Sequence, residues 1–193
     1  KDTGDFRQLP SIYAIEATAA CDLQCPNCLR TTHMTNKKPT LLEFSLLERM
    51  YERGDFKGSA FIELQMAGEP TIHPALGDII TYLQNTVGVL VGLSTHGLNM
   101  MRKVRGIDGP SSTTIGRVLT DLNTLTISVD SVDPDTYHSM RYPAQLSDLI
   151  NNLDYFFDIV RGNWAQKHPF IELQLVVSDR FQGSGDVAKL REL

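Results

Sequence analysis

Five short apolar runs, each followed by a stretch with helical spacing, constrain this chain more than any other feature. The strand-like runs cover residues 12–18, 60–66, 88–95, 124–130 and 170–177. Between them, apolar residues recur every three or four positions. Leu42, Leu46, Leu47 and Met50 follow Thr40-Leu41-Leu42-Glu43, which has the form of a capping box. Leu76, Ile79, Ile80 and Leu83 follow Pro74. Leu146, Leu149, Ile150, Leu153, Phe157 and Val160 make the cleanest helical face, after an Asp133-Pro134 helix start. A last helical pattern begins near Asp186. Residues 97–122 are the least regular: a basic patch (Arg102, Lys103, Arg105), a Gly/Pro/Ser loop from Gly106 to Thr114 and a short helix from Ile115 to Leu122. Alternation of this kind predicts an α/β fold with parallel strands joined by right-handed crossovers. Functional groups of such sheets gather at the C-terminal strand ends. Cys21, Glu69, His96 and Asp130 all stand at or just after those ends.

All three cysteines lie between Glu16 and Arg30, spaced Cys21-x3-Cys25-x2-Cys28, and there is no fourth. Three thiolates on one short loop can hold a metal centre while leaving a coordination position open, which distinguishes reactive sites from closed structural ones. Thiolates are also the ligands of iron–sulfur clusters. A zinc site with His33, five residues after Cys28, as fourth ligand stays open at this level. A disulfide framework does not suit an odd, tightly clustered set.

The tetrapeptide Ile-Glu-Leu-Gln occurs twice, at residues 62–65 and 171–174. In a strand, Ile and Leu then share one face and Glu and Gln the other. One reading packs the apolar faces on helices and turns Glu16, Glu63, Gln65, Glu172 and Gln174 into a wet, substrate-holding lumen. The other makes these two edge-like strands with solvent faces.

Further motifs stand at the strand ends: Gly68-Glu69-Pro70, Thr95-His96-Gly97, and Ser128-Val129-Asp130-Ser131 followed by Val-Asp-Pro-Asp-Thr-Tyr-His-Ser-Met-Arg up to Arg141. With the cysteine loop, their order resembles the radical S-adenosylmethionine (radical SAM) superfamily, in particular the SPASM/twitch-type branch that modifies peptides and cofactors. The resemblance runs from about Ile12 to Leu193. It implies a partial (βα)6 TIM-like barrel with about five βα units present. It also implies a [4Fe–4S] cluster on Cys21, Cys25 and Cys28, with SAM on the remaining iron. A reduced cluster would cleave SAM to a 5′-deoxyadenosyl radical that abstracts hydrogen from the substrate, and an external low-potential electron donor would be needed. Gly68, Glu69 and Pro70 correspond to the segment that holds the SAM amino group. Thr95, Ser128 and Asp130 fall at further SAM-binding positions, and Arg141 suits a carboxylate because its planar fork offers two hydrogen bonds. A strand-end cap or a surface ion pair is the plain alternative for Ser128, Asp130 and Arg141. This chain departs from the family pattern at several places. Asn27 stands where an aromatic residue is common, offering only backbone groups to the adenine. Ala67 replaces a frequent glycine, and Asp22 and His96 each replace a usual asparagine. The catalytic residue and the substrate stay open. A peptide is the first expectation, a small-molecule cofactor precursor the second, and a non-catalytic zinc or iron–sulfur interaction module the competing class.

Composition sets outer bounds. The 193 residues, 41% hydrophobic and 21% charged, suit one core domain (residues 12–193) behind a polar lead-in (residues 1–11). On this reading the barrel lacks its last strand and any C-terminal domain, and starting at Lys1 leaves the natural N-terminus open. The net charge of −5, without a long basic run, argues against a nucleic-acid partner. No run approaches the roughly 20 apolar residues of a membrane span, and no signal peptide is visible. Free thiolates on a cluster point to a reducing cytoplasm.

Overall fold

The computed structural model describes residues 11–33, 39–106, 109–163 and 168–175. The lead-in before Ser11, the end of the fifth strand-like run and the helical pattern near Asp186 lie outside the described residues. Five parallel strands form one sheet in the order β1-β2-β3-β6-β7: β1 (Ile12–Ile15), β2 (Phe61–Leu64), β3 (Leu90–Thr95), β6 (Thr124–Ser128) and β7 (Phe170–Gln174). Helices fill the crossovers: α2 (Phe44–Glu52), α3 (Leu76–Tyr82), α4 (Ile115–Leu119), α5 (Pro134–Met140) and α6 (Leu146–Gly162), with a short α1 (Leu29–His33) after the cysteine loop. The architecture is a partial TIM-like barrel of alternating units.

The two faces of the sheet differ as period-two alternation requires. Ile62, Leu64, Val91, Leu93, Leu125 and Ile127 are fully buried, and with Leu47, Ile79, Ile80, Leu83, Leu149 and Phe156 they form the core. The opposite face carries Glu63, Gln65, Ser94, Thr126, Glu172 and Gln174, as the strand registers dictate. Glu63 is half-buried and accepts a hydrogen bond from Ser94 Oγ at 3.1 Å. A Cβ on Gly92 would meet Glu63 Oε2 at 2.1 Å, so the glycine makes room for that carboxylate to lie over the neighbouring strand. Burial raises the Glu63 pKa; the Ser94 hydrogen bond opposes the rise and the Glu172 charge adds to it.

Three local readings change. The Thr40 capping box does not form: α2 starts later, at Phe44, with Glu43 at its N-cap making no side-chain cap. The preceding stretch instead braces the cysteine loop, because the Thr40 carbonyl accepts from Ala19 N–H and Thr18 Oγ1, both at 2.9 Å, and Leu41 bridges Thr18. The Gly/Pro/Ser loop is a strand, since β4 (Lys103–Gly106) and β5 (Gly109–Thr114) pair antiparallel. Its run of small polar residues carries no apolar alternation to announce it. On α6, Phe156 and Asn152 are buried and Phe157 only partly so. Over 17 residues the true period of 3.6 places position 156 on the line from Leu149 to Val160. Buried Asn152 is satisfied, accepting from Met101 N–H at 3.3 Å and donating to the Asp148 carbonyl at 2.9 Å.

Candidate functional site

β1 ends at Ile15 and the chain turns into the cysteine loop, which is fastened at many points. Glu69 N–H donates to the Ala20 carbonyl at 2.7 Å, and Gln24 N–H donates to the Tyr142 carbonyl at 2.7 Å. Arg30 folds back from α1 and donates from Nε to the Ala19 carbonyl (3.2 Å), from Nη1 to Leu23 (3.3 Å) and from Nη2 to Cys21 (3.1 Å). Sequence reasoning gave Arg30 no role. Its signal was only an arginine two residues after the last cysteine, with no acid nearby to pair it.

The three thiols are free and partly buried. With the strand ends they line one cavity of about 320 Å³, a size at the lower end of small-ligand pockets. Asn27, Gly68, Glu69, Thr95, Ser128, Asp130 and Arg141 line the same cavity, as do Gln65 and Gln174 from the polar sheet face. Of the residues singled out from sequence, Pro70 is not on the wall. It is buried at the start of a 3-10 turn (Pro70–Ile72) behind Glu69, where its fixed φ suits the first position. Asn27 lies on an exposed part of the rim.

Glu69 does not present a carboxylate to the cavity as an open acceptor. It is 4% exposed and its oxygens are engaged. Oε1 accepts from Thr71 N–H (3.1 Å), Thr71 Oγ1 (2.6 Å) and Thr95 Oγ1 (2.6 Å), and Oε2 accepts from His96 N–H (2.9 Å). It ties the end of β2 to the end of β3. Glu16, expected in the lumen, instead accepts from Ala67 N–H (2.9 Å) and Gly68 N–H (3.2 Å). The N–H groups of residues 67, 68 and 69 are all spent in this way, so what this backbone edge has left to offer a ligand is acceptors. Gly68 is required by closeness, since a Cβ there would sit 1.7 Å from the Thr18 carbonyl oxygen.

On the far wall, Arg141 Nε and Nη2 both donate to Asp130 Oδ2 at 2.5 Å. Asp130 takes a positive φ of 62°, uncommon for a non-glycine residue and frequent at functional turns. Arg141 also bonds the Cys25 thiol; burial raises the pKa of that thiol and the guanidinium works against the rise. Burial pushes Cys21 up to about 11; a bond from Leu23 N–H opposes this, and the Glu69 and Asp22 carboxylates reinforce it. A thiol in such surroundings becomes a thiolate through a bound cation.

The choice between one ion and a cluster has a geometric test. Thiolates about 2.3 Å from a single zinc stand about 3.8 Å apart. Among the described residues, the three cysteine sulfurs do not form a group lying within 4.8 Å of one another; Cys21, Asp22 and His96 do. That is wider than three thiolates on one zinc ion would stand. His33 does not join them: its exposed ring bonds Thr32 Oγ1 at 2.7 Å.

No family model matches the chain. It is 24% identical over 148 residues to the GTP 3',8-cyclase of Vibrio parahaemolyticus, covering 75% of this chain and 41% of that protein. The GTP 3',8-cyclase of Haemophilus ducreyi is 24% identical over 156 residues, covering 80% of this chain and 43% of its own. The chain thus spans about two fifths of the length of these curated relatives. Among solved structures, methylornithine synthase (PylB) superposes with a TM-score of 0.57 at 13% identity, covering 85% of this chain and 44% of its own. BtrN in complex with AdoMet and 2-DOIA gives 0.58 at 12%, covering 86% and 58%. These relatives and neighbours are radical SAM enzymes, which use a [4Fe–4S] cluster and SAM. With the three-cysteine loop closing β1 and the strand-end cavity above the partial barrel, the chain is similar in sequence and in fold to these radical SAM enzymes.

Proposed function

We propose that this chain is the core of a radical SAM enzyme acting on a small molecule. Residues 12–193 would be its core domain behind the lead-in, working in a reducing cytoplasm with an external low-potential electron donor. The observation that carries the reading is one cavity shared by three thiols, an acceptor-only backbone edge at residues 67–69 and the Asp130–Arg141 pair. Cys21, Cys25 and Cys28 would hold a [4Fe–4S] cluster, which with SAM supplies one-electron cleavage of a carbon–sulfur bond and hydrogen abstraction from a substrate.

The chain's own residues do the positioning. Glu16 occupies the N–H groups of Ala67 and Gly68, so an ammonium meets carbonyl oxygens there. Asp130 holds the Arg141 guanidinium beside Cys25, where its remaining N–H groups suit a carboxylate. Ser128, Thr95 and Asn27 complete the wall and rim. Gln65, Glu63, Glu172 and Gln174 extend a polar floor below it for the substrate. The relatives' name favours a small-molecule precursor over the peptide first expected. Placement in the SPASM/twitch branch rests on motif resemblance alone.

The test is anaerobic reconstitution with iron and sulfide, then dithionite and SAM, with release of 5′-deoxyadenosine as the readout. The intact chain is expected to release it and Cys25→Ala is not. A chain that binds one zinc and leaves SAM whole would overturn the reading.

A further inference from the structure

The two positions where the family's usual asparagines are replaced, Asp22 and His96, are 74 residues apart in sequence and in direct contact in the fold. We propose that they form a latch: a positioning pair that fixes the first cysteine against the ends of β2 and β3 and so governs how firmly the metal centre is retained. The proposal rests on the reading of the cysteine loop as the cluster ligand set.

The His96 ring is held on every polar edge. Its side chain is 3% exposed. Nδ1 accepts from Leu98 N–H at 3.1 Å, and Nε2 lies 2.7 Å from Asp22 Oδ1 and 3.4 Å from Glu69 Oε2. An Nδ1 that accepts leaves the hydrogen on Nε2, so the neutral ring in that tautomer satisfies each contact. The Nε2–H then points at two carboxylates, one from the cysteine loop and one from the strand-end network. Asp22 Oδ2 takes a second, longer bond from Asn99 Nδ2 at 3.4 Å. Asp22 follows Cys21 directly, so fixing its side chain fixes the backbone that aims the Cys21 sulfur. His96 is itself locked by Glu69, which accepts from its backbone N–H and from Thr71 and Thr95. The rigidity of two strand ends is thereby carried to the loop through one short hydrogen bond. Partners of this kind, one shell outside the ligands, typically change metal retention 10- to 100-fold. An acid facing a ring is also a matched exchange: an acceptor in the loop meets a donor just past the end of β3, and altering either alone removes their short bond.

The experiment follows iron release from the anaerobically reconstituted chain to a colorimetric chelator. Electron paramagnetic resonance spectra of the reduced protein, with and without SAM, are recorded alongside. Asp22→Ala and His96→Ala should each speed iron loss about tenfold. The double variant should be no faster than the faster single, because both remove the same bond. Asp22→Asn, whose amide oxygen still accepts from Nε2–H, should stay within about threefold of wild type. The resonance should broaden or shift in the alanine variants and not in Asp22→Asn, which a purely structural role for the pair would not produce. Half-exposed Asp22 carries the test even where His96→Ala folds poorly. Wild-type iron release in Asp22→Ala, or additive effects in the double variant, would overturn the latch and leave the cluster reading standing. A wild-type chain that fails to take up about four irons would overturn both.

Discussion

Replacing Gly68 with alanine would place a methyl carbon 1.7 Å from the Thr18 carbonyl oxygen, 2.7 Å from its carbon and 2.9 Å from the Ala20 oxygen. Real Cβ atoms stay beyond 3.0 Å, so the end of β2 and the cysteine loop must part by roughly 1.3 Å, and both sides of the contact are backbone. The separation strains the Glu69 N–H to Ala20 carbonyl bond and the two N–H bonds to Glu16. Overpacking costs about 1–3 kcal/mol and each of the three weakened hydrogen bonds up to about 1 kcal/mol, which together come to about 4–6 kcal/mol. For a chain of this length that is a fall in Tm of about 10 °C. The assay is thermal unfolding followed by circular dichroism, with iron content after reconstitution beside it. Gly162→Ala is the control, because nothing lies within 4 Å of a Cβ there and the position is helical; it should be neutral or slightly stabilising. A Gly68→Ala protein melting within about 2 °C of wild type, with iron intact, would refute the close-contact argument.

Arg30→Lys should lose iron content nearly as far as Arg30→Ala, because a single ammonium cannot reach three carbonyls that a fork reaches together; iron per chain after reconstitution checks it. Arg141→Lys should weaken SAM binding about 10- to 100-fold, the equivalent of one or two charge-assisted hydrogen bonds, read by equilibrium dialysis. Glu63→Gln should raise stability at pH 7 and leave it unchanged below pH 4. The folded-state pKa of Glu63 is raised, so the native protein binds this proton more tightly than the unfolded chain. Stability then falls as pH rises from the unfolded pKa through the folded one, and the deficit persists above. Urea unfolding at the two pH values tests the sign.

The legible parts of this fold were those written in apolar periodicity. All five parallel strands and the buried face Leu76, Ile79, Ile80 and Leu83 follow from spacing alone. Strand-end placement alone predicts that Cys21, Glu69, His96 and Asp130 share one region. What escaped was carried by polar contacts over long separations. The β4–β5 hairpin has no apolar face to display. Glu16 and Arg30 make their bonds to backbone groups, and a backbone partner leaves no mark in a sequence. Asp22 and His96 were visible as two separate departures, but only folding makes them a pair. Glu69 lines the cavity as its strand-end place suggests, but its burial and its bonds to Thr71, Thr95 and His96 are not written in its spacing.

The cysteine loop is anchored by bonds within the protein: Thr40 and Leu41 beneath it, Ala20 to Glu69 at one side, Gln24 to Tyr142 at the other, and Arg30 through its middle. None of these involves a sulfur. Small metal-dependent domains commonly fold only when the ion arrives, so that assembly of the site and ordering of the chain are one event. Here protein contacts by themselves tie the loop to the strand ends and to the segment after α5, so part of its conformational entropy is already spent when the sheet folds.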